Sequence, residues 1–272
     1  MPEGDTVWRQ ARDLRAVLEG KKLVSSDFRV PAHATLDLSG QTVTSVESRG
    51  KHLLMYVGGL VIHSHLAMEG HWDSYPVHNG RSAKWRKPTF AARAVLTTDQ
   101  AQVVGFSLGT LEVLPEALVG NAVGHLGPDL LGPGWDAEEA LRRLLAEPER
   151  AIGLALLDQR NLAGIGNIYR NELCFLGRIH PASAVMGVPD LPRMAGLAKR
   201  LLEANHDRSQ RSTTGGQARG EAASWVYGLA GKPCKRCGVL ITHGTLADPA
   251  FTVRAARDIY WCPRCQAEPG AS

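Results

Sequence analysis

At 272 residues, with 44% hydrophobic and 21% charged positions, the chain is long enough for two domains with separate cores and has the composition of an ordinary soluble globular protein. Its formal net charge of +4 admits a polyanionic partner without requiring one. No apolar run reaches the roughly 18 residues of a membrane span, and no hydrophobic leader opens the chain, so a cytoplasmic location and no membrane partner are expected.

The chain opens Met1-Pro2-Glu3-Gly4-Asp5. Removal of Met1 would turn Pro2 into a free secondary amine able to attack an electrophilic carbon and form an iminium ion, with Glu3 beside it as a proton shuttle. Such a short motif is commonly just how a chain starts, so the rest of the sequence has to support it. Asp5 is expected to cap a helix with Val7, Ala11, Leu14 and Val17/Leu18 on one face, ending near Gly20. The positive end of that helix would favour a neutral, nucleophilic Pro2.

From Leu23 to Leu114 the pattern is of short strands: 42–46, 53–57, 60–62, 92–96 and 110–114, with Gly58-Gly59 as a hairpin turn. A β-sandwich is expected. Lys51 stands at a strand entrance, where it could point towards a ligand. His63 and His65 share one face of an extended segment, but no third ligand at suitable spacing makes them a metal site. Met68, just ahead of Gly70, is an apolar wedge able to enter a base stack, and Arg81, Lys84, Arg86 and Lys87 surround Trp85 in a basic loop.

After Pro133-Gly134 the pattern turns helical. Asp136 and Glu139 form a capping-box-like start with Leu141, Leu144 and Leu145 as the apolar stripe. An apolar segment at 152–157 leads to Gly164-Ile165-Gly166-Asn167, a tight turn opening a helix that runs to about Gly177; such a helix start is a ready anion site, or simply a packing turn. Residues 205–222, including Thr213, Gly215, Gly216 and Arg219, read as a mobile polar loop that orders on a ligand. Finally, Cys234-x2-Cys237 and Cys262-x2-Cys265 have the spacing of two knuckles around one tetrahedral Zn²⁺, with a hairpin between them. Four thiolates leave no open coordination position, so the zinc is structural, and Lys235, Arg236, Arg254, Arg257 and Arg264 make the module basic.

Taken together, Pro2-Glu3-Gly4, Gly50-Lys51-His52-Leu53, His65-Leu66-Ala67-Met68-Glu69-Gly70, Leu157-Asp158-Gln159 through Gly164-Ile165-Gly166-Asn167, and Val226-Tyr227-Gly228 leading into the cysteines resemble the formamidopyrimidine-DNA glycosylase/endonuclease VIII family over essentially the whole chain. The resemblance implies an α+β multidomain protein. Its parts would be a β-sandwich with an N-terminal helix (1–116), a helix-two-turn-helix domain (117–228), a four-cysteine zinc-finger hairpin (229–267) and a tail (268–272), with DNA between the lobes. It further implies a monomeric bacterial base-excision-repair glycosylase with abasic-site lyase activity, associated with the nucleoid through DNA. Pro2 is then the nucleophile on C1′, Glu3 the acid/base partner, and Lys51, Asn167 and Arg257 the phosphate-holding residues. Met68 becomes a candidate to fill the gap left by a flipped base. Asp5-Thr6 in place of Pro-Glu, and the absence of an Arg-Phe wedge in Val103-Val104-Gly105-Phe106-Ser107, resemble the endonuclease VIII branch, which prefers oxidised pyrimidines and ring-opened products. Duplex against single-stranded or bubble DNA stays open. So do a preference for 8-oxoguanine and a binding protein of this fold without turnover.

Overall fold

The computed structural model describes residues 2–215, 219–248 and 256–269; Gly216 and Arg254, named above, lie outside this set. The chain divides into two compact units, 1–125 and 126–272.

The first unit begins with α1 (Gly4–Leu18), whose buried face is Val7, Ala11, Leu14 and Leu18, as the periodicity requires. Asp5 does not cap it. The N-cap is Glu3, whose carbonyl accepts from Thr6 and Val7 (3.0 and 3.1 Å), while the buried Asp5 accepts from the amide of Thr6 within the first turn. The helix therefore starts closer to Pro2 than its polar residues indicate.

Nine strands follow: β1 (Ser25–Phe28), β2 (Val43–Arg49), β3 (His52–Val57), β4 (Leu60–His65), β5 (His71–His78), β6 (Arg81–Ser82), β7 (Ala92–Thr97), β8 (Ala101–Phe106) and β9 (Thr110–Pro115), and then α2 (Val119–Val123). They form two antiparallel sheets, ordered β2-β3-β4-β9 and β1-β7-β8-β5-β6. Alternate residues such as Val46, Leu53, Met55, Ile62, Leu96 and Val103 meet the apolar face of α1 in one core. Gly58 and Gly59 both have positive φ (58° and 78°), which gives the two-residue turn that fixes the β3–β4 register.

The second unit contains α3 (Ala137–Leu145), α4 (Ile152–Ala155), α5 (Asn167–Leu176) and α6 (Leu191–Glu203), then the hairpin of β10 (Thr242–Leu246) and β11 (Arg257–Trp261). Asp136 caps α3 by accepting from Glu139 (3.0 Å), but the Glu139 carboxylate turns to Arg142 and Arg143 instead of back to the cap. Leu144, Ile152, Ile165, Tyr169 and Met194 are part of the helical core. A smaller core joins Phe175 to Val226, Ile241 and the cysteine knuckles.

Within 205–215 the chain is more fastened than its composition indicates. Asn205 accepts from the amide of Ser212 and donates to its carbonyl (2.7 and 3.0 Å), and Ser212 and Thr213 are buried. Among the described residues no helix is long and apolar enough to cross a membrane.

Candidate nucleic-acid site

In the first unit, Pro2 is half-buried immediately before α1, and Glu3 is fully buried. Lys51 occupies the two-residue turn between β2 and β3, where Arg49 pairs with His52 and Gly50 adopts φ 58°. This tight turn holds a half-exposed lysine on a rigid sheet end instead of a wandering loop.

Beside Lys51 lies a histidine cluster. The Nδ1 of His52 is 2.8 Å from the Nε2 of His63, with one proton between them, and the Nδ1 of His63 is 3.1 Å from Glu112. The rings of His65 and His125 are 5.3 and 6.3 Å from that of His52. Burial pushes the His52 pKa down to about 3, and His63, His65, His125 and Lys51 push it the same way. His65 is also lowered, by burial first and then by Lys51 and His63. The corner therefore holds His52 in its neutral form beside Lys51. Among the described residues the one grouping of three or more converging metal ligands is the four-cysteine set of the second unit.

Met68 projects from the turn after β4 with 67% of its surface exposed. Ala67 takes φ 54° and donates its amide to Nδ1 of His65 (3.1 Å), and Gly70 closes the turn onto the carbonyl of Leu66 (2.9 Å). A Cβ on Gly109 would lie 2.4 Å from that of Ala67, so only glycine lets the neighbouring chain pass. The turn holds an apolar side chain out in solvent at a fixed place. Trp85 of the basic loop does the opposite: its indole donates to Gln102 (2.7 Å) and its ring packs edge-on to the buried Phe106. It is part of the sandwich rather than a stacking platform.

In the second unit, Gln159 braces the turn before α5. Its amide donates to the carbonyls of Leu157 and Ile165 (2.8 and 2.9 Å) and its oxygen accepts from Gly164 (3.0 Å), which has φ 113°. Asp158 is bound by Arg150 and Arg160 at 2.9 and 2.6 Å. The turn that opens α5 is thus rigidly braced, with Gly166 at the N-cap. Asn167 is buried at this end, with Nδ2 donating to the carbonyl of Asp258 (3.1 Å) and Oδ1 accepting from Arg170. Arg257 is exposed at the start of β11, next to Asp258.

Sequence pattern points to His63 and His65 but not to their joining with His125 and Glu112, nor to the buried run Arg170-Asn171-Glu172. Glu172 accepts from the amides of Trp225, Val226 and Tyr227 at 2.8 to 2.9 Å and from the hydroxyl of Thr213, fastening the entry to the finger. A run of polar residues on an otherwise apolar helix was the available signal.

The ligand sulfurs of Cys234, Cys237, Cys262 and Cys265 lie within 4.8 Å of one another. Sulfurs at about 2.3 Å from a tetrahedral ion stand roughly 3.8 Å apart, so the four fit a single metal of that kind. Burial pushes the Cys265 thiol up to about 12, with its cysteine neighbours adding to the effect, whereas the backbone amide of Val239 leads in holding Cys237 down, to about 7. Packing four sulfurs this closely favours a cation among them.

The N-terminal domain model of formamidopyrimidine-DNA glycosylase matches residues 1–107, and the H2TH domain model of the same enzyme matches 126–204. The chain is 51% identical to the probable endonuclease 8 2 of Streptomyces coelicolor, over 99% of this chain and 95% of that protein. It is 46% identical to the DNA-(apurinic or apyrimidinic site) lyase Nei2 of Mycolicibacterium smegmatis, over 98% and 99%. In fold it matches MutM in complex with DNA containing carbocyclic 8-oxo-G, with a TM-score of 0.78 at 24% identity over 98% of this chain and 100% of that one. These matches place the chain in the formamidopyrimidine-DNA glycosylase/endonuclease VIII family, among its endonuclease VIII-like members.

Proposed function

We propose that this protein is a base-excision-repair DNA glycosylase with abasic-site lyase activity, that Pro2 of the processed chain is its nucleophile, and that oxidised pyrimidines are its favoured substrates. The observation that carries the reading is the N-terminus: Pro2 adjoins Glu3, the buried N-cap of α1, whose first residues Gly4 and Asp5 are also buried. An α-amine begins near pKa 7.7 to 8.0, and the positive helix end disfavours its protonated form. Attack of the neutral amine on C1′ displaces the damaged base; loss of the amine proton and opening of the C1′–O4′ bond, with Glu3 as the acid/base group that protonates O4′, then give the iminium. That iminium acidifies the C2′ proton, whose loss expels the 3′ phosphate, and δ-elimination can follow. Lys51, Asn167 and Arg257 hold phosphates around the lesion, and Met68 fills space vacated by the flipped base.

A structural Zn²⁺ held by Cys234, Cys237, Cys262 and Cys265 would fix the hairpin that carries Arg257. Every group this scheme needs is on one chain, in keeping with a monomer acting in the cytoplasm on nucleoid DNA. The preference for oxidised pyrimidines draws support from Phe106, which is buried in the sandwich core and so is no duplex wedge.

Borohydride trapping on duplex DNA with one abasic site is the test. Protein lacking Met1 should give a covalent adduct, and protein that retains Met1 should bind without one. Binding of the processed protein without any adduct would leave a damaged-DNA-binding protein. Duplexes carrying either an oxidised pyrimidine or 8-oxoguanine then decide the lesion.

A further inference from the structure

Three side chains on one face of α5, at i, i+3 and i+4, converge on a single main-chain oxygen of the finger. The carbonyl of Asp258 accepts from Asn167 Nδ2 at 3.1 Å, Arg170 Nη2 at 2.8 Å and Asn171 Nδ2 at 3.4 Å. Asn171 returns a fourth bond by accepting the amide of Tyr260 at 2.8 Å. Arg170, Asn171 and Glu172 are fully buried, an expensive arrangement for a helix that apolar packing alone could have joined to the hairpin. What hydrogen bonds provide and apolar contact does not is a fixed register between two backbones. The residues on either side of the joint are informative: Asn167 belongs to the cluster, and Arg257 adjoins Asp258.

We infer that Arg170 and Asn171 are positioning residues that key β11 to the start of α5, so that Asn167 and Arg257 meet DNA as one preorganised phosphate grip. This rests on the lyase reading above, in which those two residues hold phosphates. Keying spares the ordering cost of bringing a separate hairpin to the DNA, so its loss weakens binding while leaving the chemical step of bound DNA intact. Arg170→Lys keeps the charge but loses the planar fork, and Asn171→Leu removes both bonds to β11, along with the one to the Asn167 carbonyl, without changing charge.

The test uses full-length, processed protein, measuring equilibrium binding to a duplex with a tetrahydrofuran abasic analogue, single-turnover cleavage of a true abasic site, and zinc content. Both variants should bind about ten-fold more weakly, keep their cleavage rate at saturating DNA within about two-fold, and retain wild-type zinc. Wild-type affinity in both variants would overturn the inference, as would a slower saturated rate with unchanged affinity. Loss of zinc from both would also overturn it, by assigning the cluster to finger folding. Failure of the wild type to cleave or be trapped would sink the lyase reading separately, because binding to the analogue needs no chemistry.

Discussion

His52 sits between Lys51 and three other imidazoles, so a proton arriving there enters a crowded and largely desolvated place. Its folded pKa near 3, against 6.5 for an ordinary histidine, has a definite consequence for stability. Below pH 6.5 the unfolded chain takes up a proton that the folded chain refuses. The stabilisation from neutral His52 is therefore fully present above pH 6.5 and is lost as pH falls towards 3. Unfolding free energy should decline from pH 6.5 to 4.5, and His52→Gln should flatten that decline, by at most about 1.4 kcal/mol per pH unit. Equal slopes in both proteins would contradict the assignment. The cluster was partly legible beforehand: counting back from Gly58-Gly59 places His52 opposite His65. What the sequence could not reveal is the partnership with Glu112, because β9 lies almost fifty residues further on and no turn fixes its register.

Among the elements, the cysteine hairpin shows best how local pattern and long-range packing divide the information. Its two C-x2-C pairs could be read directly, since ligand geometry demands a particular spacing and little else does. Its seat could not: Phe175 of α5, Val226 and Ile241 pack with Cys234 and Cys262 in one small core, and only the folded chain brings them together. The same applies to Asp5, whose residue type signals a cap but whose side chain is drawn into the buried first turn. Since that small core includes two of the four cysteines, metal removal should spread beyond the knuckles. Chelation under reducing conditions is expected to change the emission of Trp225, stacked at 5.5 Å on Phe175, and to abolish DNA binding, with zinc restoring both. The β-sandwich core contains none of these groups and should keep its far-ultraviolet strand signal. Unchanged tryptophan emission after complete metal removal would show that the core holds the hairpin without the ion.

At the scale of the whole molecule, a net charge of +4 is too small to identify a DNA-binding protein, and it was the order of separated motifs that carried the family resemblance. Composition is blind to where charge sits: Lys51 belongs to the first compact unit and Arg257 to the second. If both hold phosphates of the same DNA, each contributes its own released counterion to a single binding event. A plot of log affinity against log salt should then lose about 0.9 from its slope in Lys51→Gln, the same in Arg257→Gln, and about 1.8 in the double variant. Separate binding modes for the two units give a different outcome, because the double variant would then lose no more slope than one of the singles. Additive slopes would also separate these two residues from Arg170, whose positioning role predicts weaker binding of Arg170→Lys with the slope preserved, since the phosphate ligands themselves remain.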